Sequence, residues 1–206
     1  SSSALGDLDG DGVMDIAVGA HQDDDGGSAT GAVYILFLTT DGLVKSAQKI
    51  SNYYGGFPYT LSASDGFGYS GTFGSGDLDD DGVTDLAVGA YLDDDGGTES
   101  GAVYIIFLRT DGTIKSAQKI SAHYGQLSVS LGTSDYLGAS TALIDMDGDG
   151  TLDLIAGSTG DDDAGSASGA IYVLFLRAGD CRTSFPTLHP SVSPTMTLSP
   201  TSPAPS

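Results

Sequence analysis

The sequence predicts an all-β chain, with four-stranded antiparallel sheets repeated in tandem over residues 1–178 and a disordered tail over residues 179–206. Three observations carry that expectation. Of the 28 acidic residues 27 are aspartates, the exception being Glu99, and 31 residues are glycine, a composition that suits turns and oxygen-ligand cages better than helix surfaces. An aspartate-rich loop recurs three times along the chain. Behind every copy stand the same short apolar strands at matched spacing.

The loop reads Gly6-Asp7-Leu8-Asp9-Gly10-Asp11-Gly12-Val13-Met14-Asp15 in the first copy, Gly76-Asp77-Leu78-Asp79-Asp80-Asp81-Gly82-Val83-Thr84-Asp85 in the second, and runs from Asp145 to Asp153 in the third. The copies lie 70 and 68 residues apart. Each is followed by a short apolar strand (Ile16-Ala17-Val18, Leu86-Ala87-Val88, Leu154-Ile155-Ala156) and then by three aspartates in a row at 23–25, 93–95 and 161–163. The next strand is longer, Ala32 to Leu38, Ala102 to Leu108 and Ala170 to Leu176; it is apolar on both alternating faces and therefore covered on both. Asp41-Gly42 and Asp111-Gly112 make hairpin turns into Val44–Ile50 and Ile114–Ile120, each of which carries two lysines on one face. Those lysines either guard an edge strand against pairing with another chain or are ordinary solvated charge. The glycine-rich Phe67-Gly68-Tyr69-Ser70 supplies the first strand of the unit.

Sheets that are apolar on both faces and repeated in tandem must stack on one another, and radial stacking of four-stranded sheets is a β-propeller. A linear β-solenoid is the alternative, but its repeats are much shorter than these. The first unit begins at the aspartate loop without its first strand, and the third stops after Leu176 without its lysine strand. Such a partial propeller cannot close a ring of about four to eight blades. Closure therefore needs other blades of a parent chain, or other chains.

Charge sets the excluded partners. With 28 acidic against 7 basic residues and a net charge of −21, nucleic acid and anionic membrane surfaces are repelled. No apolar run reaches the roughly 18 residues that span a bilayer, so no membrane insertion is expected and the chain reads as soluble. The opening Ser1-Ser2-Ser3-Ala4-Leu5 carries neither a methionine nor an apolar signal segment and reads as a fragment or a processed product. From Gly179 onward Ser, Thr and Pro dominate, with too little apolar surface to fold; this is a stalk or linker, either O-glycosylated in a secreted glycoprotein or unmodified. Cys181, the one cysteine, is either an unpaired thiol or the partner of a cysteine elsewhere.

The chemistry lies in the aspartate loop. Asp7, Asp9, Asp11 and Asp15 put oxygens at positions 1, 3, 5 and 9, Gly12 allows the sharp turn at 6, and the backbone carbonyl of Val13 falls at 7. The same set is Asp77, Asp79, Asp81, Val83 and Asp85 in the second copy, and Asp145, Asp147, Asp149, Thr151 and Asp153 in the third. This spacing wraps a hard cation. Calcium, with about six to eight oxygens in flexible geometry, fits better than magnesium, which keeps a tight octahedron and its waters. Without a cation the carboxylates of one turn repel each other, and nothing basic lies nearby in sequence. It is not an EF-hand, since position 12 holds Val18, Val88 or Ala156 inside a strand where a bidentate Glu is needed. Three Ca2+ sites are expected. Asp80 stands where the other copies have Gly10 and Gly148, which predicts strain at position 4 and a different affinity.

Phe67-Gly68 ahead of Gly76-Asp77-Leu78-Asp79, then Asp85-Leu86-Ala87-Val88-Gly89-Ala90 and Gly101-Ala102-Val103-Tyr104-Ile105, resembles the FG-GAP repeat of integrin alpha-chain β-propellers and related secreted microbial proteins. The resemblance covers roughly residues 1–178. It implies a seven-bladed propeller, calcium in the hairpin between the first and second strands of a blade, and roles in adhesion or extracellular recognition. The chain departs from the pattern where His21, Tyr91 and Thr159 replace the Pro of Gly-Ala-Pro, and where Leu137-Gly138 stands for Phe-Gly. With about three repeats present, the blade count of the parent is left open.

In an antiparallel meander the aspartate loops and the Asp-Asp-Asp turns lie at opposite ends of the sheet. Consecutive carboxylates point in alternate directions and form no obvious cage, so the triplets read as soluble acidic tips, with a cation-bridged ligand or a second metal as the alternative. No catalytic residue is assigned. His21, His123 and His189 recur in no repeat, and no serine sits in a Gly-x-Ser-x-Gly neighbourhood. Paired aspartates that recur three times fit metal ligation better than glycosidic acid–base work. Tyr34, Tyr104 and Tyr172 are expected to pack between blades. The expected function is a calcium-binding extracellular module, secreted or at the cell surface, for cell adhesion or for recognition of a protein or glycan ligand. The alternative is a non-catalytic appendage of a secreted or surface hydrolase.

Overall fold

The computed structural model describes residues 1–69, 73–125, 127, 129–163, 165 and 168–176. Among them, eleven strands form three antiparallel sheets and no helix occurs. The first sheet is β1 (Ser2–Gly6), β2 (Asp15–Ala20), β3 (Ala32–Leu38) and β4 (Val44–Ile50); the second is β5 (Gly74–Gly76), β6 (Asp85–Ala90), β7 (Ala102–Leu108) and β8 (Ile114–Ile120). The third holds β9 (Leu137–Ile144), β10 (Asp153–Ser158) and β11 (Ala170–Leu174). Every strand pairs with its neighbour in sequence, so each sheet is a meander. The tail expected over 179–206, with Cys181 and His189, lies outside the described residues.

Two expectations are corrected. The first sheet does have its first strand: Ser2, Ser3 and Ala4 pair with Val18, Ala17 and Ile16. Its inward side chain is a single fully buried leucine, Leu5, and the polar serines around it hide the period of two. In the second repeat the ladder strand is not Phe67–Ser70 but Gly74–Gly76. Gly68 has φ +86, which breaks the extended run, and Phe67 instead makes a parallel bridge to Gly31 of the preceding sheet. Leu137 bridges Gly101 in the same way.

The middle sheet is sandwiched, which is why β7 is buried along its whole length. Tyr104, Ile106 and Leu108 pack against Val33, Ile35 and Phe37 of the first sheet. Their alternates Val103, Ile105 and Phe107 pack against Leu154, Ala156 and Leu174 of the third. First strands neighbour one another, with Ser3 Oγ 2.9 Å from Ser75 Oγ and the Gly74 N–H donating to Thr141 Oγ1 at 3.2 Å. Inner strands side by side and fourth strands outermost make these sheets the blades of a partial propeller. At the seams backbone meets backbone. A Cβ on Gly19 or Gly89 would stand far inside contact distance of the carbonyl oxygen of Gly68 or Gly138 in the next blade. Tyr104 sits between blades as expected, fully buried with its ring 5.2 to 5.5 Å from those of Phe57, Tyr59 and Phe67.

Candidate metal centre

Each aspartate loop joins the first two strands of a blade and folds around its own backbone N–H groups. In the first loop Asp7 Oδ2 accepts from the Gly12 N–H at 2.8 Å, and Asp11 Oδ1 from the Val13 N–H at 2.9 Å. The second and third loops repeat these bonds, with Asp77 accepting from Gly82 and Asp81 from Val83, and with Asp145 accepting from Gly150 and Asp149 from Thr151. Position 4 is left-handed in all three: Gly10 and Gly148 have φ +79 and Asp80 has φ +57. Aspartate tolerates this region better than most side chains, at some cost relative to glycine.

The ninth position is a structural tie as well as a ligand candidate. Asp15 is fully buried, and its two oxygens accept from the N–H groups of Leu8 and Leu38, both at 3.0 Å. Asp85 does the same for Leu78 and Leu108, and Asp153 for Met146 and Leu176. One carboxylate thus pins the loop to the end of the third strand of its own blade. Burial pushes the Asp85 carboxyl up to about 7, against the pull of the N–H bonds from Leu108 and Leu78.

The structure brings three of the four carboxylates together. One oxygen each from Asp7, Asp9 and Asp15 lie within 4.8 Å of one another, and so do those of Asp77, Asp79 and Asp85, and of Asp145, Asp147 and Asp153. Position 5 stands outside these groups. Asp11 and Asp81 turn instead to lysines of the fourth strand: Lys45 Nζ lies 2.7 Å from Asp9 Oδ2 and pairs with Asp11, and Lys115 Nζ lies 2.7 Å from Asp79 Oδ2 and pairs with Asp81. Those contacts hold the Asp11 and Asp81 carboxyls below the usual range. A basic group therefore does pair with two carboxylates of each of these loops, reaching position 5 from 34 residues away in sequence, and offsets one of their four charges.

The Asp-Asp-Asp turns are not merely solvated tips. Alternation sends the first and third aspartates to one side, where Asp93 and Asp95 both pair with Lys119, and Asp23 and Asp25 both pair with Lys49. The middle carboxylate points the other way and accepts from the Ala29 or Glu99 N–H. The phenols of Tyr34, Tyr104 and Tyr172 donate to Asp23, Asp93 and Asp161. All four lysines of the chain are thus bound to aspartate pairs. Because Lys45 and Lys49 are four residues apart on an extended strand, about 13 Å, one strand serves both ends of the blade.

The FG-GAP repeat family model matches residues 1–36, 67–106 and 137–174. This chain belongs to the FG-GAP repeat family. Each matched FG-GAP segment spans one aspartate loop, one Asp-Asp-Asp turn and most or all of the long apolar strand, so the family signature coincides with the repeated geometry described above. In FG-GAP terms, the Phe-Gly dipeptide is the seam to the preceding blade, and the Gly-Ala glycine is the surface that receives it. Among the described residues no helix is long and apolar enough to cross a membrane.

Proposed function

We propose that this FG-GAP chain is a calcium-binding propeller module, secreted or at the cell surface, that recognises an extracellular protein or glycan and serves adhesion without catalysis. One observation carries the metal assignment: in each of the three loops, carboxylate oxygens from positions 1, 3 and 9 converge to within 4.8 Å. Ligands opposed across one calcium ion, at about 2.4 Å each, span that distance. Asp7, Asp9 and Asp15, with their counterparts in the second and third loops, are the core ligands. Asp11, Asp81 and Asp149 and the carbonyls of Val13, Val83 and Thr151 complete the shell. Bound calcium supplies positive charge that cancels carboxylate repulsion and stiffens the loop. The chain's own residues do the rest: the N–H groups of Gly12, Gly82 and Gly150 orient the position 1 carboxylate, and the position 9 carboxylate fixes the loop to the sheet.

FG-GAP repeats are typical of extracellular and surface proteins, which supports the location. The net charge of −21 favours cationic or cation-bridged partners. Thermal melts with calcium, with magnesium and with chelator, run beside a protein and glycan array in the same three buffers, test the reading. Stabilisation selective for calcium and capture that disappears in chelator are expected. Equal melting in all three buffers contradicts it.

A further inference from the structure

We propose that Lys45 and Lys115 are built-in counter-ions of the first and second aspartate loops, which calcium must displace, so that these two loops take calcium more weakly than the third. This rests on the calcium reading and names what competes with the ion for its ligands.

In the first loop both oxygens of position 5 are engaged. Asp11 Oδ1 accepts from the Val13 N–H at 2.9 Å, and Asp11 Oδ2 pairs with Lys45 Nζ. The second loop does the same: Asp81 Oδ1 accepts from the Val83 N–H at 2.9 Å, and Asp81 Oδ2 pairs with Lys115 Nζ. Each ammonium also stands 2.7 Å from an oxygen of position 3, Asp9 Oδ2 or Asp79 Oδ2, and position 3 belongs to the converging carboxylate group. The lysine thus does two things that a bound cation would do: it bridges positions 3 and 5, and it relieves repulsion within the turn. A divalent ion drawn to the same carboxylates meets this positive charge just behind one of its ligands, and Oδ2 of Asp11 or Asp81 is released to it only when the lysine lets go.

The third loop is the internal reference. Asp149 Oδ1 accepts from the Thr151 N–H at 2.7 Å, and Asp145, Asp147 and Asp153 converge as their counterparts do. No lysine is left for it, because all four lysines of the chain are committed to the first two blades. The two kinds of lysine also differ in how readily they can leave. The Lys45 and Lys115 side chains are 29% and 38% exposed, so the ammonium can swing into water, whereas Lys119 in the Asp-Asp-Asp turn is 5% exposed and locked in place. The loop lysines are exchangeable cations, and the turn lysine is a fixed one.

Amine acetylation of the unaltered full chain, read residue by residue by mass spectrometry in chelator and in calcium, tests this without a variant. Calcium should raise the labelling of Lys45 and Lys115 several-fold and leave Lys119 as it was. Calorimetric calcium titration of a chain carrying Lys45→Met and Lys115→Met gives the second readout. Two sites should tighten about tenfold and the third should keep its affinity, while the melting temperature in chelator falls because the loop carboxylates have lost their counter-ion. Arginine at both positions should restore the original affinities. Calcium uptake that leaves Lys45 and Lys115 protected, or a methionine variant that binds as the parent does or more weakly, overturns the proposal and leaves the calcium sites standing. No calcium taken up by either chain overturns the calcium reading and this proposal with it.

Discussion

Lys119 Nζ lies 2.9 and 2.7 Å from the two oxygens of Asp93, and both side chains are buried at the seam between the first two blades. Burial works against the lysine's charge, yet the hydrogen bonds to Asp93 and Asp95 outweigh it and hold the ammonium above its ordinary pKa. The Tyr104 ring, 5.3 Å from Nζ, adds a face to the site. Replacing only the lysine leaves Asp93 buried and uncompensated. Lys119→Met should therefore cost about 3–5 kcal/mol in urea unfolding. Lys49 makes the same contacts on the open face of the first blade, where its side chain is 19% exposed, so Lys49→Met should cost distinctly less. Equal losses would show that the neighbouring blade does not set the burial.

The Asp15 tie is separable from metal binding. An Asn there keeps one acceptor but points an amide N–H at either Leu8 or Leu38, so one buried backbone donor loses its partner. Asp15→Asn should lose about 1–3 kcal/mol even in chelator. A loss seen only with calcium present would assign Asp15 to the metal alone.

The seam glycine gives a steric prediction. Gly89→Ala puts a methyl group into the Gly138 carbonyl, a backbone atom that cannot swing aside. The third blade must then shift, at a cost of about 1–3 kcal/mol or more. Amide hydrogen exchange should show the protection of β9 falling further than that of β3.

Asp65 gives a pH signature. Burial first, and then the charge of Asp93, raise its carboxyl from the ordinary 3.8 to about 7. Between roughly pH 4 and 7 the native chain holds a proton that the unfolded chain has released, so this group's contribution falls as pH rises through that window. Asp11, Asp23 and Asp81 have depressed values, and their contribution is lost below about pH 4 as pH falls. In chelator, stability should rise from pH 7 to about 5 and then decline. Buried Asp85, also raised to about 7, contributes over the same window, so Asp65→Asn, which keeps the acceptor for the Ser62 N–H, should roughly halve the slope of the upper limb in thermal melts across pH.

Much of this architecture was legible in the chain. The apolar run Ala32–Leu38 and the lysine strand Val44–Ile50 match β3 and β4 to the residue, because a continuous apolar run and the Asp-Gly turn that follows it are local signals. β1 was hidden because its one core residue, Leu5, stands among serines. The loops were visible as ligand patterns, but the lysines that pair with them were not, since Lys45 reaches Asp11 only after the chain has crossed the sheet twice, along β2 and β3. A signal did exist: Lys45 and Lys115 recur at the same offset from their loops. Position 5 stands outside the carboxylate group in all three loops, the third included, and in each its Oδ1 accepts from the N–H of position 7, so this departure was written in the nine-residue motif itself.

The three aspartate loops are proposed as calcium sites. Calorimetric titration of the chelator-treated chain, beside a variant carrying Asp9→Asn, Asp79→Asn and Asp147→Asn together, tests it most directly. Three calcium ions per chain, little heat with magnesium and loss of binding in the variant are expected, with a rise in melting temperature that follows occupancy. A folded chain that takes up no calcium, or a variant that binds as the parent does, contradicts it.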